Sequence, residues 1–287
     1  MLPTTNFVFF GTPNFAAIIL KKLMDAGLPP SLVICNPDKP VGRKKIVTPP
    51  PTKILALNNG IEVFQPENLK NVDYKLKAIS YKLAVVAAYS KIIPQEIIDL
   101  FPHGIIGVHP SLLPKYRGAS PIQQAILDGE KETGVTLYLI DEKVDHGQIL
   151  VQRKLNYELR MMNYELAEQK LAELGSKLLI ETLPKYLIGE IKPKSQDHSR
   201  ATFTKKFKTE DGHVDLTKDK SEIIARKIRA LNPEPGVYTI QNNKRLKLLE
   251  VKKVDDKWTI TKTQLEGKKP KEDKISLDSN RPVHKLD

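Results

Sequence analysis

The 287-residue chain is long enough for one large domain or two ordinary ones, and with 40% hydrophobic and 28% charged residues it can build a sizeable core. Its 46 basic residues against 34 acidic ones give a net charge of +12, an excess that attracts polyanions over long range. A single cysteine, Cys35, excludes an internal disulfide and fits a reducing compartment. No stretch approaches the roughly 18–20 apolar residues of a membrane helix, and no leader of charged-then-apolar form is present, so a soluble cytoplasmic protein is expected.

Along the chain, Phe7-Val8-Phe9-Phe10 predicts a first strand ending at Gly11, followed by a helix over 14–26. Leu32 to Ile34 predicts a second strand, ending at a Cys35 that reads as a small buried residue rather than a reactive thiol. Leu83 to Ala88 and Gly104 to His109 predict two more. Continuous apolar strands separated by helices imply a parallel-type sheet covered on both faces, an α/β fold whose ligands bind beyond the carboxyl ends of the strands. The loops after Phe10, Ala88 and His109 are therefore where chemistry is expected.

Thr133 to Ile140 and Gln148 to Leu155 predict two further strands around a turn at 141–147. A long helix is expected from Asn163 to about Leu183, with Pro184 ending or kinking it. The polar stretch 192–200 reads as a linker. Beyond it, Val237 to Ile240 and Leu246 to Val251 form short β runs around an Asn242-Asn243 turn, which suits a small β-barrel. Residues 201–287 carry 21 basic against 14 acidic side chains, a net +7, and mark a basic C-terminal module. From Gly267 onward the chain is lysine-rich with little apolar pattern, and a disordered tail is expected.

Four segments bear on chemistry. Gly11-Thr12-Pro13 lacks the spacing of a dinucleotide site or a P-loop and reads as a strand-to-helix turn, although its helix N-terminus offers N–H groups to an anion. The loop 36–45, with Arg43, Lys44 and Lys45, suits phosphate contacts or a plain solvated loop. The segment from His109 to Pro121 starts where a strand ends; its prolines stiffen the loop, and His109 is a candidate to accept or deliver a proton. Asp145, in a turn with His146 and Gly147, becomes that imidazole's carboxylate partner only if the fold brings the two together. His146 itself reads as a solvated loop residue.

At these residues the chain resembles the methionyl-tRNA formyltransferases. The resemblance is carried by Phe10-Gly11-Thr12-Pro13 with Phe15-Ala16, the Pro37-Asp38 basic loop, Val85 to Tyr89, and the block His109 to Pro121. It continues through Thr133 to Thr136 and Asp145, then Lys227 to Ala230, Asn232-Pro233 and Pro235-Gly236, from about residue 6 to 270. It implies a Rossmann-like formyltransferase domain at 1–190, a linker at 191–203 and a basic OB-like domain at 204–287. It further implies 10-formyltetrahydrofolate as donor, in a site with Tyr89, Ser111, Leu112, Leu113 and Pro114, and proton transfer by His109 and Asp145. The basic loop of Arg43, Lys44 and Lys45 and the C-terminal module would grip the initiator tRNA. A monomer without metal is expected.

One position departs from the pattern. Where the family has an asparagine two residues before the histidine, this chain has Gly107. That amide is expected to hydrogen-bond the formyl oxygen as negative charge develops, and loss of one such donor costs on the order of 10²–10³ in rate. Another group or water must then replace it, or activity falls. Two other classes stay open: a formyltransferase for a sugar amine or glycinamide ribonucleotide, and a tRNA- or folate-binding relative that has lost the chemistry. The basic C-terminal module argues against the first, and His109 with Asp145 against the second.

Overall fold

A computed structural model describes residues 6–42, 44–69, 76, 81–156 and 158–277. It divides into two compact units, the first from residues up to Ala119, Thr133–Asn156 and Glu168–Phe203. The second takes Ser120–Glu132, Tyr157–Ala167 and what is described from Thr204 on.

The first unit is built on β1 (Phe7–Gly11), β2 (Leu32–Ile34), β5 (Glu62–Phe64), β6 (Leu83–Ala87), β7 (Ile105–His109), β9 (Gly134–Leu139) and β10 (Ile149–Lys154). They form one sheet in the order β10-β9-β7-β6-β1-β2-β5. The five strands from β5 to β7 run parallel, while β9 and β10 are antiparallel additions. The chain winds outward from β1 to β5 and then returns to β6 and β7 on the other side. That reversal places the switch point between β1 and β6, where open α/β sheets hold ligands. The strands are apolar on both faces because both are covered: Phe7 and Phe9 are fully buried on one side, as is Phe10 on the other. Phe10 packs with Ile34, Ala84, Ile97, Phe101 and Ile105 in one core cluster.

Helices α1 (Asn14–Asp25), α2 (Pro51–Asn58), α3 (Gln95–Ile98) and α5 (Tyr164–Leu187) accompany this sheet, with α4 (Pro121–Asp128) and α6 (Ser221–Leu231) in the second unit. Helix α5 runs on through Pro184 to Leu187, so of the two outcomes expected there, an end or a kink, the end is ruled out. The proline removes a single backbone donor near the helix end, while Leu178, Leu179 and Leu183 are buried and Tyr186 donates to the His103 carbonyl at 3.0 Å. Packing outweighs one missing bond.

The basic loop is also more ordered than expected. Lys39–Val41 (β3) and Ile46–Thr48 (β4) pair as an antiparallel hairpin. At its base Asp38 accepts from Lys53 at 2.8 Å and from Gln65 at 2.8 Å, contacts that hold its carboxyl below the usual range.

In the second unit β12 (Tyr238–Gln241), β13 (Lys244–Val254), β14 (Lys257–Leu265) and β15 (Lys271–Ser276) form an antiparallel meander. Asn242 and Asn243 both take positive φ, 49° and 58°, as a two-residue hairpin turn requires. Strand β15 overturns the expected disorder as far as residue 277, and the rest of the tail lies outside the described residues. Its charges sit on an edge strand, where they guard against further pairing, while Ile275 registers with Ile260. Two further two-residue strands, β8 (Arg117–Gly118) and β11 (Phe203–Thr204), are present.

Candidate active site

The site is built outward from β7. Alternation along a strand puts Gly107 and His109 on the same face, and register with antiparallel β9 sets Tyr138 opposite Gly107 and Thr136 opposite His109. His109 is buried, and its ring meets that of Tyr138 edge-on, with centroids 6.4 Å apart. Nε2 lies 2.8 Å from the Tyr116 carbonyl oxygen. A carbonyl only accepts, so Nε2 carries a proton and Nδ1 is the atom left to take or give one. Nδ1 lies 3.6 Å from Asp145 Oδ2.

Asp145 sits in the turn between β9 and β10 with φ 47°, in the left-handed region that non-glycine residues adopt at a cost of order 1–3 kcal/mol. Several contacts impose that conformation. The Gly118 N–H donates to Oδ2 at 2.6 Å, and the Tyr138 hydroxyl donates to Oδ1 at 2.5 Å. The Asp145 and Gly147 carbonyls accept from Gln196 Nε2 at 3.0 and 2.7 Å. Gly147 has no alternative, because a Cβ there would run into the Leu139 carbonyl oxygen. Burial, and then the Asp145 charge, push the Tyr138 phenol well above its usual pKa of 10.0, so it stays a neutral donor.

The loop after His109 is pinned from β9 and β10. Thr136 Oγ1 donates to the Ser111 carbonyl at 2.7 Å and accepts from Leu113 N at 3.1 Å, and Gln152 Nε2 bonds the Leu113 carbonyl at 2.7 Å. Ser111 and Leu113 are buried, and the Ser111 hydroxyl donates to Lys115 O at 2.7 Å. These two residues shape the loop, leaving half-buried Leu112 and Pro114 as its open side chains.

Beyond β6, the Tyr89 ring packs against Phe10 at 5.5 Å. Its hydroxyl oxygen and Asn36 Oδ1 are buried without a partner among the described residues. A donor and an acceptor left open at the carboxyl ends of β6 and β2 fit a polar heterocyclic ligand at the switch point. Cys35 is buried, and burial lifts its thiol to about 11, so it is inert as expected.

Lys44 and Lys45 are exposed in the turn of the β3–β4 hairpin, and Arg43 lies outside the described residues. His146 is not a plain solvated residue: Nδ1 lies 2.7 Å from Asp141 Oδ2, and its ring stacks on His198 at 4.0 Å. Nothing in the local sequence flags Tyr138, Gln196 or His198. Arg117 joins them, with Nη2 at 2.7 Å from Gln196 Oε1 and 2.8 Å from His198 Nδ1. The only trace of Tyr138 is Gly107, a mid-strand glycine of the kind that marks a close approach without saying by what.

The family described as "Formyl transferase" matches residues 5–183, and "Formyl transferase, C-terminal domain" matches 206–268. A methionyl-tRNA formyltransferase of Caldicellulosiruptor saccharolyticus is 44% identical over 88% of this chain and 81% of its own length. That of Bacillus subtilis is 39% identical over 87% and 79%. Among solved structures, the methionyl-tRNA formyltransferase from Clostridium thermocellum aligns with TM-score 0.62 at 20% identity, over 94% of this chain and 100% of that one. HypX from Aquifex aeolicus in complex with tetrahydrofolic acid aligns with TM-score 0.64 at 18% identity, over 96% and 46%. At such identities the structures speak for the fold alone.

Proposed function

The chain belongs to the methionyl-tRNA formyltransferase family, and from that premise we propose how its residues carry a formyl group from 10-formyltetrahydrofolate to the amino group of methionyl-initiator tRNA. The observation that carries the proposal is the buried His109 at the carboxyl end of β7, its proton fixed on Nε2 and its Nδ1 3.6 Å from the half-buried Asp145 carboxylate. The acceptor amine attacks the formyl carbon and gives up a proton to His109 Nδ1. Asp145 stabilises the imidazolium so formed. The bond from the formyl carbon to the folate nitrogen then breaks, and the same proton passes to that nitrogen as it leaves. Tyr89, Leu112 and Pro114 border the donor, with Ser111 and Leu113 holding the loop in shape. Lys44 and Lys45, together with Arg43, contact tRNA phosphates, and the basic residues from 204 on supply the remaining attraction.

A monomeric, cytoplasmic enzyme completes the proposal. One unpaired cysteine supports the compartment, and among the described residues no helix is long and apolar enough to cross a membrane. A sugar or nucleotide amine is the weaker reading of the acceptor. Sugar N-formyltransferases align at 17–20% identity, which supports a common fold only. The test offers the purified protein 10-formyltetrahydrofolate with methionine-charged initiator tRNA, an amino-sugar nucleotide or glycinamide ribonucleotide. Formylation of the tRNA alone is expected; formylation of either small amine in its place would overturn the acceptor assignment.

A further inference from the structure

The missing amide at position 107 and the unforeseen phenol at 138 are one feature seen from two strands. An ideal Cβ built on Gly107 would overlap Tyr138 Cε1, lie 2.7 Å from Cζ and 3.0 Å from Ile140 Cδ1. Real Cβ atoms do not come that close to a ring. The ring has little freedom to yield: Tyr138 is 4% exposed, its hydroxyl is bonded to Asp145, and its edge meets His109. The space that a side chain at 107 would fill is therefore already filled from β9, by a group bearing a neutral hydrogen-bond donor. That donor is committed to Asp145 Oδ1, and the opposite carboxylate oxygen, Oδ2, faces His109 Nδ1.

We propose that Tyr138 is a positioning residue for formyl transfer, holding the Asp145 carboxylate toward His109, and that Gly107 is the cavity that admits its ring. The inference rests on the formyl-transfer reading above. It also revises what an asparagine at 107 would do here: the amide does not fit until the phenol is removed. Asp145 faces His109 and Tyr138; Asp141 and Arg117 are the other charged groups that act on Tyr138, with His146 against the first and His198 against the second. Loss of the phenol's proton donor disfavours the ionised carboxylate and strengthens its pull on the His109 proton. Both effects move the acid limb of the rate profile to higher pH.

The experiment compares the full chain with Tyr138→Phe, Tyr138→Leu, Gly107→Asn and the double variant Gly107→Asn/Tyr138→Leu. Melting temperature requires no substrate: Gly107→Asn alone should lower it by about 5 °C through overpacking, and the double variant should lose less than its two single changes together. Tyr138→Phe keeps the ring and the fold, and should lower kcat about tenfold, with KM for the tRNA unchanged. Its acid limb in kcat/KM should move to higher pH. An unchanged melting temperature in Gly107→Asn would overturn the pairing. An unchanged kcat and pH profile in Tyr138→Phe would overturn the positioning role. Failure of the unmodified protein to formylate methionyl-tRNA would instead overturn the acceptor reading, while the melting comparison still decides the pairing.

Discussion

At the scale of single residues, the proposed chemistry uses one imidazole with one nitrogen left for proton transfer. Nε2 of His109 is spent on the Tyr116 carbonyl, so in the proposed mechanism the transferred proton is carried on Nδ1, beside Asp145. His109→Asn and Asp145→Asn should each lower kcat by about 10²–10⁴-fold, with folate binding retained by fluorescence titration. Retention of more than half the activity in either variant would contradict the role. His198 adds a pH dependence of stability. Partial desolvation, then the charges of His146 and Arg117, lower its pKa from 6.5, and its Nδ1 accepts from Arg117. Because the folded pKa lies below the unfolded value, stability is full above about pH 6.5 and declines as pH falls through that value. The drop in melting temperature between about pH 7.5 and 5.5 should therefore be smaller in His198→Gln. His109 stood out in the sequence as the start of the proline-rich 109–121 block, whereas Asp145 read locally as a turn residue and was named as its partner only through the family resemblance. Tyr138 was not, because only register across β7 and β9 sets it over Gly107.

At the scale of elements, apolar runs predicted the strands closely. The runs 7–10, 32–34 and 104–109 became Phe7–Gly11, Leu32–Ile34 and Ile105–His109. The errors came where tertiary contacts outvoted local pattern. Pro184 was read as ending or kinking the helix, yet α5 runs on past it under the burial of Leu183 and the Tyr186 hydrogen bond. Lysines after Gly267 hid β15, whose pairing with β14 has no local signature. The hairpin β3–β4 was read as a loop because its strands have three residues each, all exposed. If its turn contacts tRNA phosphates, Lys44→Ala/Lys45→Ala should raise KM for the tRNA and leave kcat unchanged. The salt slope of binding should become shallower by up to about 2. An unchanged slope would remove this hairpin from the interface. The Asn242-Asn243 turn gives a smaller test: Asn243→Gly relieves a positive φ of 58° and should raise the melting temperature by about a degree.

At the scale of the molecule, the sheet order puts the switch point between β1 and β6, and the open polar atoms of Tyr89 and Asn36 lie at the strand ends nearby. A net +12 draws the polyanionic substrate, and binding should weaken steeply with salt while the chemical step does not. In the proposed mechanism one His–Asp pair moves the proton that lets a formyl group pass from folate to the methionyl amine. The most direct measurement is single-turnover transfer of labelled formyl from 10-formyltetrahydrofolate to methionyl-initiator tRNA, with saturating enzyme, for the unmodified protein and for His109→Asn. Label on the methionine of the tRNA in the first and a rate at least about 10²-fold lower in the second is the predicted result. Equal rates in the two proteins would contradict the account.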